Sequence, residues 1–362
     1  MTIFFVARKY DYATWPIPDR GSPSFEFETW YPAFQKIAGG NHKISAFWLD
    51  EEAYRLGRHG MNQELLRRMR AEKPQAAFFY VNGDEIRPET IREITEKIGV
   101  VTVYWCADDS WRFDSVSRRY APYYAWTITL DSGAAEKYRR SGCRVIHSQS
   151  AANTEIFRPV GKDKDIAVSF VGTRNKPRAN IIKALEEADM TASVFGRGWL
   201  AGKISREKMI EVFSRSRISL NLNTPSFYWG LRPLARLFLK RAEFIFEPMQ
   251  IRPDFRHLFR NLREWRQKKI PQIKARTFEI CACRTLGITQ MADNLGDYYK
   301  IGKEIVVYKD IPDLIEKIRY YLKHDEEREK IAQAGYERTL RDHTVAQRLE
   351  QIFKTIGLPL GG

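Results

Sequence analysis

One rhythm dominates this sequence: short runs of β-branched, aromatic and other apolar residues alternate with longer amphipathic stretches, and the alternation occurs twice. In the first half the runs are TIFFVA (2–7), KISAFWL (43–49), AAFFYV (76–81), VVTVYW (100–105), YAWTITL (124–130) and CRVIHS (143–148). They are apolar on both faces, as parallel strands covered by helices must be. Between them lie stretches with helical spacing, such as NQELLRRMRAEK and RPETIREITEKIG, the latter with Pro88 near its start and Gly99 after its end. A doubly wound α/β domain is the fold that this pattern specifies.

The rhythm breaks at NTEIFRPVGKDKD, where Pro, Gly and alternating charge predict a hinge near 158–165, and then restarts. IAVSFVGT (166–173), TASVFG (191–196), RISLNLN (217–223) and EIVVY (304–308) are the second set of strand-like runs, with NKPRANIIKALEEA and SREKMIEVFSRS as helices among them. Three helices follow. Asp310 and Pro312 open the first, whose Leu314, Ile315, Ile318 and Leu322 share a face; the second starts near Asp325; the last follows Thr344 and carries Leu349, Ile352 and Phe353. A chain of 362 residues has room for two such cores. The expected domains are 1–160, 161–340, and a C-terminal helix at 341–362 that packs back on the first.

Residues 225–273 do not follow this rhythm, so they are expected as a basic helical insert in the second domain. From 230 to 276 there are 13 Lys/Arg against 4 Asp/Glu. Arg232, Arg236 and Lys240 fall at helical spacing, beside Phe227, Tyr228, Trp229, Leu231, Leu234, Phe238 and Ile245. Three readings stand: a packed helical insert with solvated arginines, a surface (227–270) for an anionic membrane, or an acceptor-binding surface. The whole chain has net charge +15, which favours phosphate-bearing partners. No nucleic-acid-binding signature accompanies that charge, and no nucleic-acid partner is expected. The start MTIFFVARKYDYATW lacks a signal-peptide pattern, and no window is apolar enough for a membrane span. The expected location is therefore cytoplasmic, with peripheral contact at the inner membrane face as an option. Cys106, Cys143, Cys281 and Cys283 read as small core residues, because the Cys-x-Cys pair has no second pair or nearby His with zinc spacing.

The candidates for chemistry stand at strand ends. In SFVGTRNKPR, Gly172 and Thr173 follow a strand, and Arg174, Lys176 and Arg178 surround a helix start, a pattern suited to phosphate. There is no P-loop lysine motif and no G-x-G-x-x-G. Glu279, in KARTFEICAC, is expected near a helix N-terminus, either as a dipole-balancing acid or as an acceptor for ribose hydroxyls. In YWCADDSWRF, Asp108 and Asp109 follow a strand and suit a general base or a helix cap. His147, at another strand end, reads as a core histidine or a cleft residue.

Residues 274–351, with KARTFEICAC and TQMADNLGDYYKIGKEIVVYKDIPDLIEKIRYYLKHDEEREKIAQAGYERTLRDHT, resemble group 1 glycosyltransferases of the GT-B fold, in particular the CgeB-like (spore-maturation) branch. The first half is similar mainly in architecture and in VYWCADD. The resemblance implies two Rossmann-like domains facing a cleft and transfer of a sugar from a nucleotide diphosphate, with UDP or GDP as the expected nucleotide and no further cofactor. The acceptor would be a glycan, a protein or a lipid-linked hydroxyl. Carried over to this sequence, Glu279 holds the ribose, Lys274, Arg276 and Arg174 meet the diphosphate, and Gly196 borders the base. Asp293, Asn294 and Leu295 form the loop beside the nucleotide-sugar. Two departures stand out: Pro271 where many relatives carry an acid, and Arg284 where they carry Gly. With no Asp-x-Asp motif and basic residues beside the leaving group, metal-independent transfer is expected. The alternative is a non-catalytic polyanion- or nucleotide-binding protein on a degenerate transferase fold.

Overall fold

The computed structural model describes residues 1–11, 23–37, 42–81, 83, 85–161, 163–223, 231–241, 251–269 and 271–358. The chain divides into two compact units. Unit 1 comprises Met1–Gln149, Trp229–Lys268 and Arg348–Gly362, and unit 2 comprises Ser150–Tyr228 and Lys269–Gln347.

Unit 1 holds a six-stranded parallel sheet of β1 (Thr2–Ala7), β2 (Lys43–Trp48), β3 (Ala76–Phe79), β4 (Val101–Cys106), β5 (Trp126–Thr129) and β6 (Val145–His147), in the order β2-β1-β3-β4-β5-β6. The registers run in step, with Phe5 beside Phe78 and Phe78 beside Val103. Phe4, Phe5, Phe78 and Phe79 are completely buried, so helices cover both faces, as the unbroken apolar runs require. Phe353, on the helix Val345–Thr355, places its ring 5.0 Å from that of Phe78 and 6.2 Å from that of Phe34.

Unit 2 holds β7 (Ile166–Val171), β8 (Ser193–Phe195), β9 (Ser216–Asn221), β12 (Leu286–Gln290) and β13 (Val306–Tyr308), all parallel, in the order β13-β12-β9-β7-β8. Asp310 caps the helix Ile311–Lys323 by accepting from Asp313 N at 2.9 Å, as its sequence predicts.

Two expectations about organisation change. The boundary expected near 160 falls inside unit 2. Ala152 N donates to His343 O (3.0 Å), Val345 N donates to Ala152 O (2.9 Å), and Phe157 is buried in that unit's core. The segment expected as an insert in the second domain belongs, over Trp229–Lys268, to unit 1. There the antiparallel pair β10 (Leu239–Arg241) and β11 (Ile251–Pro253) joins the helices Leu231–Phe238 and Leu258–Gln267, and Lys268 Nζ sits 4.3 Å from the Trp111 ring centroid. Phe227, Tyr228, Trp229 and Ile245, and the side chains of Arg232, Arg236 and Lys240, lie outside the described residues.

Candidate nucleotide-binding site

In unit 2 the chain passes from β7 to β8 on one side and then crosses to β9 on the other, so the sheet changes winding direction between β7 and β9. Ligands of such sheets bind outside the carboxyl ends of those two strands. Gly172, Thr173 and Arg174 leave β7 there, and Asn175 caps the helix Lys176–Glu187 by accepting from Arg178 N at 2.9 Å, with Pro177 in its first turn.

The loops after β7 and β8 are fastened together. Gly172 N donates to Phe195 O (2.9 Å), Trp199 Nε1 donates to Gly172 O (2.9 Å), and Arg174 N donates to Arg197 O (2.9 Å). Gly196 has φ 131°, and a Cβ there would lie 2.2 Å from Gly172 O, so this crossing admits only glycine. The Arg174 side chain is exposed, with its guanidinium carbon 5.5 Å from the Trp199 ring centroid. It is a cation held in place by an aromatic face.

Arg178, read from sequence as a phosphate ligand, is instead a latch. Its Nε and Nη2 donate to Leu222 O (3.1 and 2.9 Å) and its Nη1 to Thr173 O (2.8 Å), which joins the ends of β9 and β7. Burial, reinforced by the like charge of Arg276, pushes its pKa down. These arginines therefore put concentrated positive charge at the strand ends.

The helix Ala275–Ala282 supplies the acid. Lys274 stands at its N-cap with Nζ donating to Gln272 Oε1 (3.0 Å). Glu279 lies in the second turn, not at the helix start, and only 3% of its surface is exposed. Arg276 Nη1 donates to Glu279 Oε2 at 2.6 Å, one turn away, and lies over the Phe213 ring. A buried carboxylate needs such a cation. Beside it, Asn221 Nδ2 donates to Thr277 Oγ1 (2.6 Å), Asn223 Nδ2 to Thr289 Oγ1 (3.1 Å), and Thr289 Oγ1 to Asn221 O (3.1 Å).

Three further groups at these strand ends were not singled out from sequence. Asn223 Oδ1, Gln290 Oε1 and Tyr308 Oη are buried without a hydrogen-bond partner among the described residues, and they stand at or just past the ends of β9, β12 and β13. Unpaired buried polar atoms are costly, and a ligand's hydroxyls would satisfy them. Only their position at carboxyl strand ends could have pointed to them in the sequence.

The ADNL loop is partly structural. Asp293 N donates to Pro271 O (3.5 Å), Asn294 takes φ 59° ahead of the short helix Leu295–Tyr298, and Leu295, 1% exposed, faces the core, so only its main chain is open to a ligand. Arg284 takes φ 57° just past the Ala275–Ala282 helix, so the left-handed turn is kept despite the missing glycine.

In unit 1 the paired aspartates part company. Asp108 is half-buried at the end of β4, its carbonyl accepting from Arg112 N (3.0 Å). Asp109 is 2% exposed, accepts from Tyr138 Oη at 3.0 Å, and is pushed up to about 6 by burial. Its carboxyl belongs to the domain core. His147 is half-buried on β6, beside Thr129 of β5. Cys281 and Cys283 are buried core thiols, and burial raises the pKa of each.

Residues 249–354 match the family of glycosyl transferase-like proteins. The chain is 23% identical over 303 residues to the spore protein CgeB of Bacillus subtilis (strain 168), covering 82% of this chain and 87% of that protein. Among solved structures, HepE of Anabaena in complex with UDP superposes with a TM-score of 0.57 at 10% identity, covering 99% of this chain and 100% of the other. Sucrose-phosphate synthase of Thermosynechococcus elongatus does so with a TM-score of 0.57 at 11% identity, covering 98% and 99%. The fold is GT-B, and the chain is similar to group 1 glycosyltransferases of the CgeB-like branch, its C-terminal part matching the glycosyl transferase-like family model.

Proposed function

We propose that this protein transfers a sugar from a nucleotide-diphosphate donor to an acceptor hydroxyl, and that the donor binds at the carboxyl ends of β7 and β9. The reading rests on a buried carboxylate, Glu279, paired with Arg276, and on Arg174 and the latched Arg178, which follow β7 where a doubly wound sheet takes its ligand. HepE, a structural neighbour, has been solved with UDP and with UDP-glucose, which supports UDP as the nucleotide.

The chemistry follows from the charges. Glu279 accepts two ribose hydroxyls, and Arg276 pairs with its carboxylate one turn away. Arg174 and Arg276, with Lys274 nearby, meet the diphosphate, whose negative charge grows as the bond from the anomeric carbon to the phosphate oxygen breaks. The acceptor oxygen forms the new bond to that carbon, and its proton passes to Asp108, the more exposed of the two aspartates after β4. Asp109 supports that turn from inside the domain, as its bond to Tyr138 indicates. Positive charge from arginine in place of a divalent ion makes the transfer metal-independent. The acceptor is a glycan, a protein or a lipid-linked hydroxyl.

Isothermal titration with UDP, GDP, ADP and CMP tests the reading. Binding of UDP, with CMP weaker because it lacks the second phosphate, is the expected result. No binding of any of the four at millimolar concentration would leave a degenerate transferase fold that recognises other polyanions.

A further inference from the structure

Away from the nucleotide site, the Trp229–Lys268 segment of unit 1 carries a surface of unusual composition. Of the thirteen large apolar side chains most exposed among the described residues, six fall between Leu231 and Phe259. Scattered exposed leucines are ordinary; a concentration of this kind marks an interaction surface. Leu231, Leu234 and Phe238 are 88%, 36% and 39% exposed and recur at i, i+3 and i+7 along the helix Leu231–Phe238, so they form one stripe. The stripe continues where the Phe238 ring meets that of Phe255 at 6.0 Å, and on to Phe259, which is 87% exposed.

These side chains are not surplus from an incomplete core. The inward faces are already buried: Leu237 and Trp265 are each 8% exposed, and Asn261 Nδ2 donates to Leu237 O at 2.9 Å between the two helices. The charges are sorted as well. Arg256 is exposed beside Phe255, and Arg263 and Arg266 are exposed at i+4 and i+7 from Phe259 along the helix Leu258–Gln267. The acids of the same stretch turn back, Asp254 to His257 and Asn261 and Glu264 toward Arg260. Residues 231–269 hold 11 Lys/Arg and 4 Asp/Glu.

We propose that this face docks on an anionic phospholipid bilayer, with Phe255, Phe259 and the Leu231–Phe238 stripe entering the headgroup boundary and Arg256, Arg263 and Arg266 meeting the lipid phosphates. Exposed aromatic and aliphatic side chains among arginines are the composition of an interfacial element. A second copy of the chain would bring the same cationic face against its own charge, which disfavours self-association. The proposal goes beyond sugar transfer and stands without it. Among the described residues no helix is long and apolar enough to cross a membrane, so the contact is one of lying on the surface.

The test is sedimentation of the full-length protein with vesicles of phosphatidylcholine alone and of phosphatidylcholine mixed with phosphatidylglycerol. The protein is expected to sediment with the mixed vesicles only. Arg256→Gln/Arg263→Gln/Arg266→Gln should lower partitioning roughly a hundredfold, each basic residue contributing several-fold. Phe255→Ser/Phe259→Ser should lower it at least about tenfold. Far-UV circular dichroism and thermal unfolding of both variants serve as controls for folding. Equal sedimentation with both kinds of vesicle, or wild-type sedimentation by the two folded variants, would overturn the proposal. So would a dimer in sedimentation velocity that is abolished by Phe255→Ser/Phe259→Ser, because the face would then belong to a second copy.

Discussion

The two units bury an acid near the carboxyl ends of their sheets and treat it in opposite ways. In unit 2, Glu279 keeps a cation, Arg276, 2.6 Å away, and the strand ends of the same sheet carry Asn223 Oδ1, Gln290 Oε1 and Tyr308 Oη buried without a partner among the described residues. In unit 1, Asp109 sits against the Tyr138 hydroxyl, and burial drives it towards the neutral form. Rings close the strand ends nearby, with Trp105 4.6 Å from Trp30 and 5.2 Å from Tyr80 between centroids. A charge supported by a cation is available to a ligand, whereas a charge suppressed by burial serves the fold. Asp109 follows an apolar run in the sequence and Glu279 precedes one, and their partners tell them apart.

Breaking the strand ends of unit 2 should have the largest effect. Gly196→Ala forces a side chain onto Gly172 O at a φ that side chains rarely adopt, and should cost about 3 kcal/mol or more in urea unfolding of unit 2. A loss below about 1 kcal/mol would mean that the two loops part easily. Arg276→Met leaves Glu279 buried without its cation, and should cost about 2–3 kcal/mol. Glu279→Gln in the same background should recover most of that loss, and failure to recover it would show that Arg276 acts through packing alone.

The contrast sharpens in unit 1, where the expected sign reverses. Because the folded-state pKa of Asp109 is raised, unfolded chains ionise first as pH rises, and stability falls between pH 3.8 and about 6 and stays lower above. Asp109→Asn should therefore stabilise the protein at pH 8 by roughly 2 kcal/mol and flatten that part of its pH profile, read by denaturant melts across the range. A destabilising effect at pH 8 would show that the ionised carboxylate is needed. The smallest effect concerns the turn behind Glu279. Arg284→Gly removes a left-handed non-glycine residue and should add about 1 kcal/mol without changing nucleotide affinity.

Much of the fold was legible because parallel strands buried on both faces leave unbroken apolar runs, and ten of those runs correspond to strands β1–β9 and β13. β12 escaped because LGITQ carries Gly287 and a polar end, and follows a helix after only Cys283, Arg284 and Thr285. β10 and β11 are short strands within a basic segment that has no alternation of its own. The Pro/Gly break at 158–165 looked like a hinge, but Phe157 on its near side is already anchored in the second core. At the site, spacing pointed to Gly172 at a strand end, and the resemblance pointed to Gly196 and Arg276. Spacing could not show that Arg178 spends its donors on carbonyl oxygens, or that Asp109 turns inward, because both depend on what tertiary contacts leave within reach.

The central claim is that unit 2 takes a nucleoside diphosphate through Glu279 and its arginines. Crystals soaked with UDP test it most directly. The account predicts density for the ribose on the Glu279 carboxylate and for the diphosphate against Arg174 and Arg276, at the carboxyl ends of β7 and β9. Well-ordered UDP elsewhere on the protein, with the Arg276–Glu279 pair untouched, would contradict it.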